Sequence, residues 1–153
     1  MKSILVQMHS TDSPASTKRK VLAITASIFD PLGLLSPAFI AYKIFLQKLW
    51  QDKLQWDKPL SSHLQHEWNQ LLHTIPTLST FRINRKVICL NAINIQIHGF
   101  CDNSEQAYGA CLYIHSTDSN NKTSCELLCS TSKVAPLKQL TIPRLELCCN
   151  IAG

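Results

Sequence analysis

What this chain lacks narrows it before any motif is weighed. No apolar run approaches the ~20 residues a membrane span needs: LLSPAFIAYKIFLQKLW, among the longest, is interrupted by Ser36, Pro37, Lys43 and Lys48. A secretory leader is missing too, since ILV in MKSILVQMHSTDSP is far too short for a signal-peptide core. The chain is therefore expected to be soluble and intracellular. The seven cysteines are odd in number, irregularly spaced and set mainly in apolar segments, which favours reduced, buried thiols over a disulfide framework. Cys125 and Cys129 lack a matching second pair, so zinc is not expected. His63, His66 and His73 could share a helix face, but with no acid or cysteine partner they point to an exposed surface.

What is present is a 153-residue chain, 45% apolar, enough for one domain or pieces of two. Its net charge of +5 is unevenly spread. Residues 1 to 92 hold 11 Lys or Arg against 5 Asp or Glu, and residues 93 to 153 hold 4 against 5. A basic first part beside a nearly neutral, acid-bearing second part suits a protein that grips a polyanion next to a metal site. A lysine-rich solvated surface would give the same balance.

Periodicity divides the chain at Pro76. Before it, a helix is expected from Lys18 to Phe29, ending at Asp30-Pro31 because a residue before proline avoids the helical region. A second begins at Ser36 as cap with Pro37 in its first turn and runs to Leu54. Ser62 and Gln65 fit a capping box for a third, whose stripe Leu64, Trp68, Leu71, Leu72 and Ile75 stops at Pro76. Beyond it, Val87, Ile88 and Leu90 form a short apolar run that ends in a linker or short strand, and the period becomes two. Ile93, Ile95 and Ile97 alternate with Asn94, Gln96 and His98 as a half-buried strand. Strands are expected again at 108–115 and 124–130, with STDSNNK as a hairpin turn, giving an antiparallel meander. Thr141 and Pro143 then start a helix with Glu146 in its opening turn.

The stretch HGFCDNSEQAYGACLYI raises the functional question. Asp102 closes an apolar run, on the Asn94, Gln96 and His98 side unless Gly99 marks a bulge. It is followed by a polar turn and the small residues Ala107, Gly109 and Ala110. If the helix carrying Glu146 packs across that face, the two carboxylates converge, as a hard divalent cation requires. Two such ions could activate water and stabilise a leaving oxygen in phosphodiester hydrolysis, with the small residues admitting a nucleic-acid backbone. The alternative is structural: Asp102 caps a turn and Glu146 favours a helix N-terminus.

Three strings, HGFCDNSEQAYGACLYI, LLCSTSKVAPLKQLTIPRLEL and TKRKVLAITASIFDPLGLLSPAFIAYKIFLQKLW with its following WDKPL, resemble the Bel/Pao class of LTR retrotransposon polyproteins from about Thr17 to Ala152. The resemblance implies helical thumb and connection sequence of a reverse transcriptase over 17–80, after a poorly ordered 1–16. A linker at 81–92 and the front of a ribonuclease H domain over 93–153 would follow. The implied fold class is α+β, a helical segment followed by an incomplete ribonuclease H-like domain of three antiparallel strands and the start of a helix. Asp102 and Glu146 would be the first two Mg²⁺ or Mn²⁺ ligands and catalytic acids. Lys18, Arg19, Lys20, Arg85, Ser104 and Lys133 are candidates for nucleic-acid contact. The implied partners are an RNA:DNA hybrid and the rest of the pol polyprotein, with no membrane, in cytoplasm or a virus-like particle. Asn103 replaces an Ala common after the first acid, and Asn84-Arg85 a Pro-Arg pair. The later ligands and the polymerase aspartates are not in the chain, so little activity is expected of it alone and its sheet should expose a strand edge. A basic binding module without catalysis is the alternative function. A third is the peptidase under whose heading this family has been filed, although no Asp-Ser/Thr-Gly motif is present.

Overall fold

Thr17 begins the first element: its hydroxyl accepts the Lys20 amide at 3.4 Å and caps α1, Lys18–Ser27. The computed structural model describes residues 16–28, 30–79 and 86–137. Three more helices follow, α2 Ser36–Gln51, α3 Ser62–Leu72 and α4 Ile75–Ser79, then β1 Ala92–Asn103, β2 Ala107–Asp118 and β3 Thr123–Val134. The fold class is α+β, with a three-stranded antiparallel sheet in the order β1-β2-β3. The described residues fall into two compact units, one of residues 30–40 and 86–137, the other of 16–28 and 41–79.

In the helical unit, Val21, Tyr42, Phe45, Leu49, Leu64 and Trp68 are buried. Phe45 stacks on Trp68 at 5.5 Å and Tyr42 meets it edge-on at 5.9 Å, so one indole joins two helices by large apolar contacts. Tyr42 donates to the Leu71 carbonyl at 2.7 Å, and burial raises its phenol pKa while a hydrogen bond to Thr74 opposes the shift. Boundaries differ from expectation in all three long helices, and α1 ends at Ser27 rather than Phe29 because Ile28 is extended at φ −75° and ψ 108°. α2 ends at Gln51 rather than Leu54, because Lys53 takes a left-handed φ of 49°. The capping box at Ser62 is not formed: Ser61 is the N-cap, without a side-chain bond, and Gln65 instead accepts the Ser16 amide at 2.8 Å. The helical path pauses at His73 and Thr74 and resumes through Pro76 in the first turn of α4, where a missing N–H costs little.

In the sheet unit, the strands are longer than their apolar runs, since polar ends such as Ser116, Thr117 and Asp118 stay in the ladder. Asp118 then closes the β2–β3 turn by accepting the amides of Asn120 and Lys122 at 2.8 and 2.9 Å. Register irregularities fall between Ala92 and Asn94 and between Leu112 and Tyr113. Gly99 sits in regular register opposite Leu112, so no bulge moves Asp102 from the Gln96, His98 and Phe100 side. Val87 to Leu90 form no strand, and the Cys89 amide reaches the buried Ser116 hydroxyl at 3.0 Å. The described cysteines are free, but none is buried, and Cys101 and Cys125 are exposed. The helix expected from Thr141 lies outside the described residues.

The segment before α2 is fastened to β3. Both Asp30 carboxylate oxygens accept backbone amides, Leu34 at 2.9 Å and Leu35 at 2.8 Å, a capping task the sequence suggested for Ser36. Ser36 is used otherwise, accepting the Ser132 amide on its hydroxyl at 3.1 Å and the Ser132 hydroxyl on its carbonyl at 2.7 Å. Between them Gly33 has φ 65°, and a Cβ there would collide with the Ser130 carbonyl oxygen. Gly33→Ala should therefore cost about 3 kcal/mol, read as a lower urea midpoint.

Among the described residues no strand pairs with the outer edge of β1. Ile93, Ile95 and Ile97 are 69%, 49% and 64% exposed, so the row expected to be half-buried is largely uncovered. The hydrogen bonds on the outer side of β3, Ser130 N–H to Leu32 and Ser132 N–H to Ser36, fix the alternation. It directs the backbone groups of Ile95 and Ile97 away from β2. An uncharged, apolar edge of this kind pairs with other chains. Ile95→Lys should lower light scattering at fixed concentration while leaving the circular dichroism spectrum unchanged.

Candidate nucleic-acid and metal site

Asp102 sits next to the last residue of β1, and its carboxylate accepts the Asn103 amide at 2.8 Å. The turn beyond is tied by Ser104, whose amide donates to the Ala107 carbonyl at 2.7 Å and whose hydroxyl accepts the Ala107 amide at 3.1 Å. Ser104 thus shapes the turn that presents Asp102. Directly across the ladder from Asp102 lie Gly109 and then Ser132, and Phe100 faces Cys111 and Ser130 in the adjoining row. Residues paired in this way share a sheet face. Gly109 has no side chain to stand beside the carboxylate, and the atoms nearest to a Cβ built on it belong to β3, Thr131 O at 3.0 Å and Ser132 Cβ at 3.8 Å.

The space so left is an open, mostly apolar pocket of about 360 Å³. Phe100, Asp102, Gly109 and Ser132 line it, with Pro37 and Ile40 from the start of α2 as further wall. The small residues after Asp102 signalled room for a ligand; the contribution of Pro37 and Ile40 had no sequence signal, because distant contacts, Leu32 and Gly33 with Ser130 and Ser36 with Ser132, bring that segment to the sheet. Farther along the same face, Phe100 meets Tyr113 at 5.9 Å and His98 meets His115 at 6.2 Å.

The other expected site residues are dispersed. Glu146 and Arg85 lie outside the described residues. Lys133 is exposed on β3, one residue from Ser132 and hence on the opposite face from Asp102. Lys18, Arg19 and Lys20 belong to the helical unit. Lys18, expected at a phosphate, is instead buried, with its ammonium 3.5 Å from the Trp50 ring centroid and 3.3 Å from the Leu54 carbonyl. Arg19 forks onto Asp57 at 2.8 and 3.0 Å. Lys20 is half-exposed on α1. His63, His66 and His73 are exposed, and among the described residues no three His, Cys, Asp or Glu side chains cluster as a metal site. No described helix is long and apolar enough to cross a membrane.

Comparison with known families settles the affiliation. The family model of the Pao retrotransposon-like RNaseH-like domain matches residues 17–153. The chain belongs to that family. It is Bel/Pao retrotransposon polyprotein sequence, and the Pao match takes in the helical unit as well as the sheet. No curated protein and no solved structure matches it.

The Arg19–Asp57 pair gives this Pao chain a pH-dependent contact. The hydrogen bond from Arg19 lowers the Asp57 pKa below the ordinary carboxylate value, and Asp57 raises that of Arg19. A lowered folded-state pKa means the contact is intact at neutral pH and is lost as pH falls through that value. Carboxyl NMR should find Asp57 titrating below a free aspartate, and Asp57→Asn should abolish the matching acid-range shift of the Arg19 Nε resonance.

Proposed function

We propose that this chain carries the front of the hydrolytic site of a Bel/Pao pol polyprotein, with Asp102 as its first divalent-cation ligand. The observation that carries the reading is the exposed Asp102 carboxylate at the end of β1, opposite the side-chain-free Gly109 and beside an open pocket. A carboxylate is the hard oxygen donor Mg²⁺ or Mn²⁺ takes, and the gap over Gly109 leaves room for the cation's waters and a phosphodiester oxygen. Glu146 is the proposed second ligand. A bound cation would supply Lewis acidity and an activated water for cleavage of RNA in an RNA:DNA hybrid.

The chain's own residues have defined parts in this reading. Asp102 holds the cation, Ser104 keeps the turn behind it closed, and Gly109 keeps the approach clear. The basic helical unit favours a second reading, nucleic-acid binding without chemistry: its described residues carry seven Lys or Arg against three Asp or Glu. No observation favours the peptidase reading, as Asp102 is followed by Asn103 and Ser104.

Titrating Mn²⁺ into ¹⁵N-labelled protein tests the site. The amides of Asp102, Asn103 and Gly109 should broaden first, Mg²⁺ should reverse the broadening, and Asp102→Asn should remove it. Uniform broadening, or none at these amides, would leave the binding-module reading in place of the hydrolytic one.

A further inference from the structure

Trp50 and Trp56 are two of the chain's three tryptophans, and they stand at the surface of the helical unit, 48% and 38% exposed, while Trp68 is fully buried. Their rings meet edge to face, centroids 5.1 Å apart at 90°. Leaving two indoles this exposed forfeits much of the gain from covering them. Part of the arrangement is structural. The Lys18 ammonium lies 3.5 Å from the Trp50 centroid and 5.1 Å from that of Trp56, and the Arg19 amide donates to the Trp56 carbonyl at 3.1 Å. These contacts hold both rings in place, which explains their order and leaves their exposure unexplained.

The surroundings indicate what an exposed, immobilised indole pair could take. Lys53 and Lys58 lie on the same exposed loop, and their side chains have no ion-pair partner among the described residues. Of the two acids nearby, Asp57 is occupied by Arg19. A ligand with flat π faces on a polyanionic backbone matches rigid indoles flanked by unpaired ammonium groups. A platform already fixed by Lys18 loses little freedom on binding.

We infer that Trp50 and Trp56, with Lys53 and Lys58, form a contact site for single-stranded nucleic acid, in which unpaired bases stack on the indoles and phosphates meet the lysines. The inference shares with the proposed function only its class of ligand, since it needs neither Asp102 nor a metal.

Intrinsic fluorescence reads the site directly, because two of the three emitters are in it. Titration with a dT 12-mer should quench the emission, with an affinity that falls as salt rises. Trp56→Ala should weaken binding about tenfold, within the range for loss of one stacked base. Lys53→Gln with Lys58→Gln, both on the surface, should lower the slope of log affinity against log salt by about 1.4, at roughly 0.7 per phosphate contact. Asp102→Asn should bind the 12-mer as the parent does, so a failed metal site and a failed stacking site give different results. Absence of quenching at low salt, equal quenching by polyglutamate, or an unchanged affinity in both variants would overturn the inference.

Discussion

The close passage of Gly33 over the Ser130 carbonyl is the contact on which the candidate site depends. Backbone can lie this near to backbone only where no Cβ intervenes and φ can be positive, and Gly33 meets both conditions. The Asp30 carboxylate holds the turn from one side by binding the Leu34 and Leu35 amides. Ser36 and Ser132 lock it from the other. These bonds occupy the outer backbone groups of β3 that would otherwise be an open edge. They also set Pro37 and Ile40 where they line the pocket beside Asp102. A turn more than 60 residues away in sequence thereby becomes part of the site.

Ladder register supplies the rest. Asp102 falls opposite Gly109, and the same row continues to Ser132, which is held by Ser36. Carboxylate, gap and anchor are therefore consecutive positions across one sheet face. The β1–β2 turn keeps that row aligned, because Ser104 bonds both the carbonyl and the amide of Ala107. An aspartate at a strand end can be merely a turn cap, and Asp102 does accept the next amide. What sets Asp102 apart from Asp118, whose carboxylate accepts two amides of its own turn, is its place in the lining of the pocket over Gly109.

The helical unit is organised around Trp68, whose ring is enclosed by Phe45 and Tyr42. Its indole N–H has no hydrogen-bond partner among the described residues, so its contribution to the core is apolar packing. Around its rim the unit spends its first basic residues on itself. Lys18 lies over Trp50 and Arg19 forks onto Asp57, whereas Lys53 and Lys58 on the loop are exposed and have no ion-pair partner among the described residues. Positive charge counted along the chain thus overstated what α1 offers a phosphate.

Much of this protein was legible in its sequence because local chemistry decided it. Period 3.6 before Pro76 and period two after Leu90 marked helices and strands, and polar turns marked an antiparallel meander. The alternation through Asn94, Gln96 and His98 placed Asp102 on its face, since no register shift interrupts β1 between Asn94 and Asn103. Boundaries were less legible, because ladder bonds extend strands through polar Ser and Thr whose side chains show no apolar period. The partners of Lys18, Gln65 and Ser36 were not legible at all. Each had a plausible local role, as phosphate contact, capping box or helix cap. Each was taken instead by a group 32 to 96 residues away: the Ser132 amide for Ser36, Ser16 for Gln65, and Trp50 and Leu54 for Lys18. Sequence alone determined which segments are helix and strand and which side of β1 bears the acid, because those follow from periodicity. Only the tertiary structure decided which polar groups remain open to a ligand, because a side chain's partner is settled by whichever distant segment packing brings within hydrogen-bond reach.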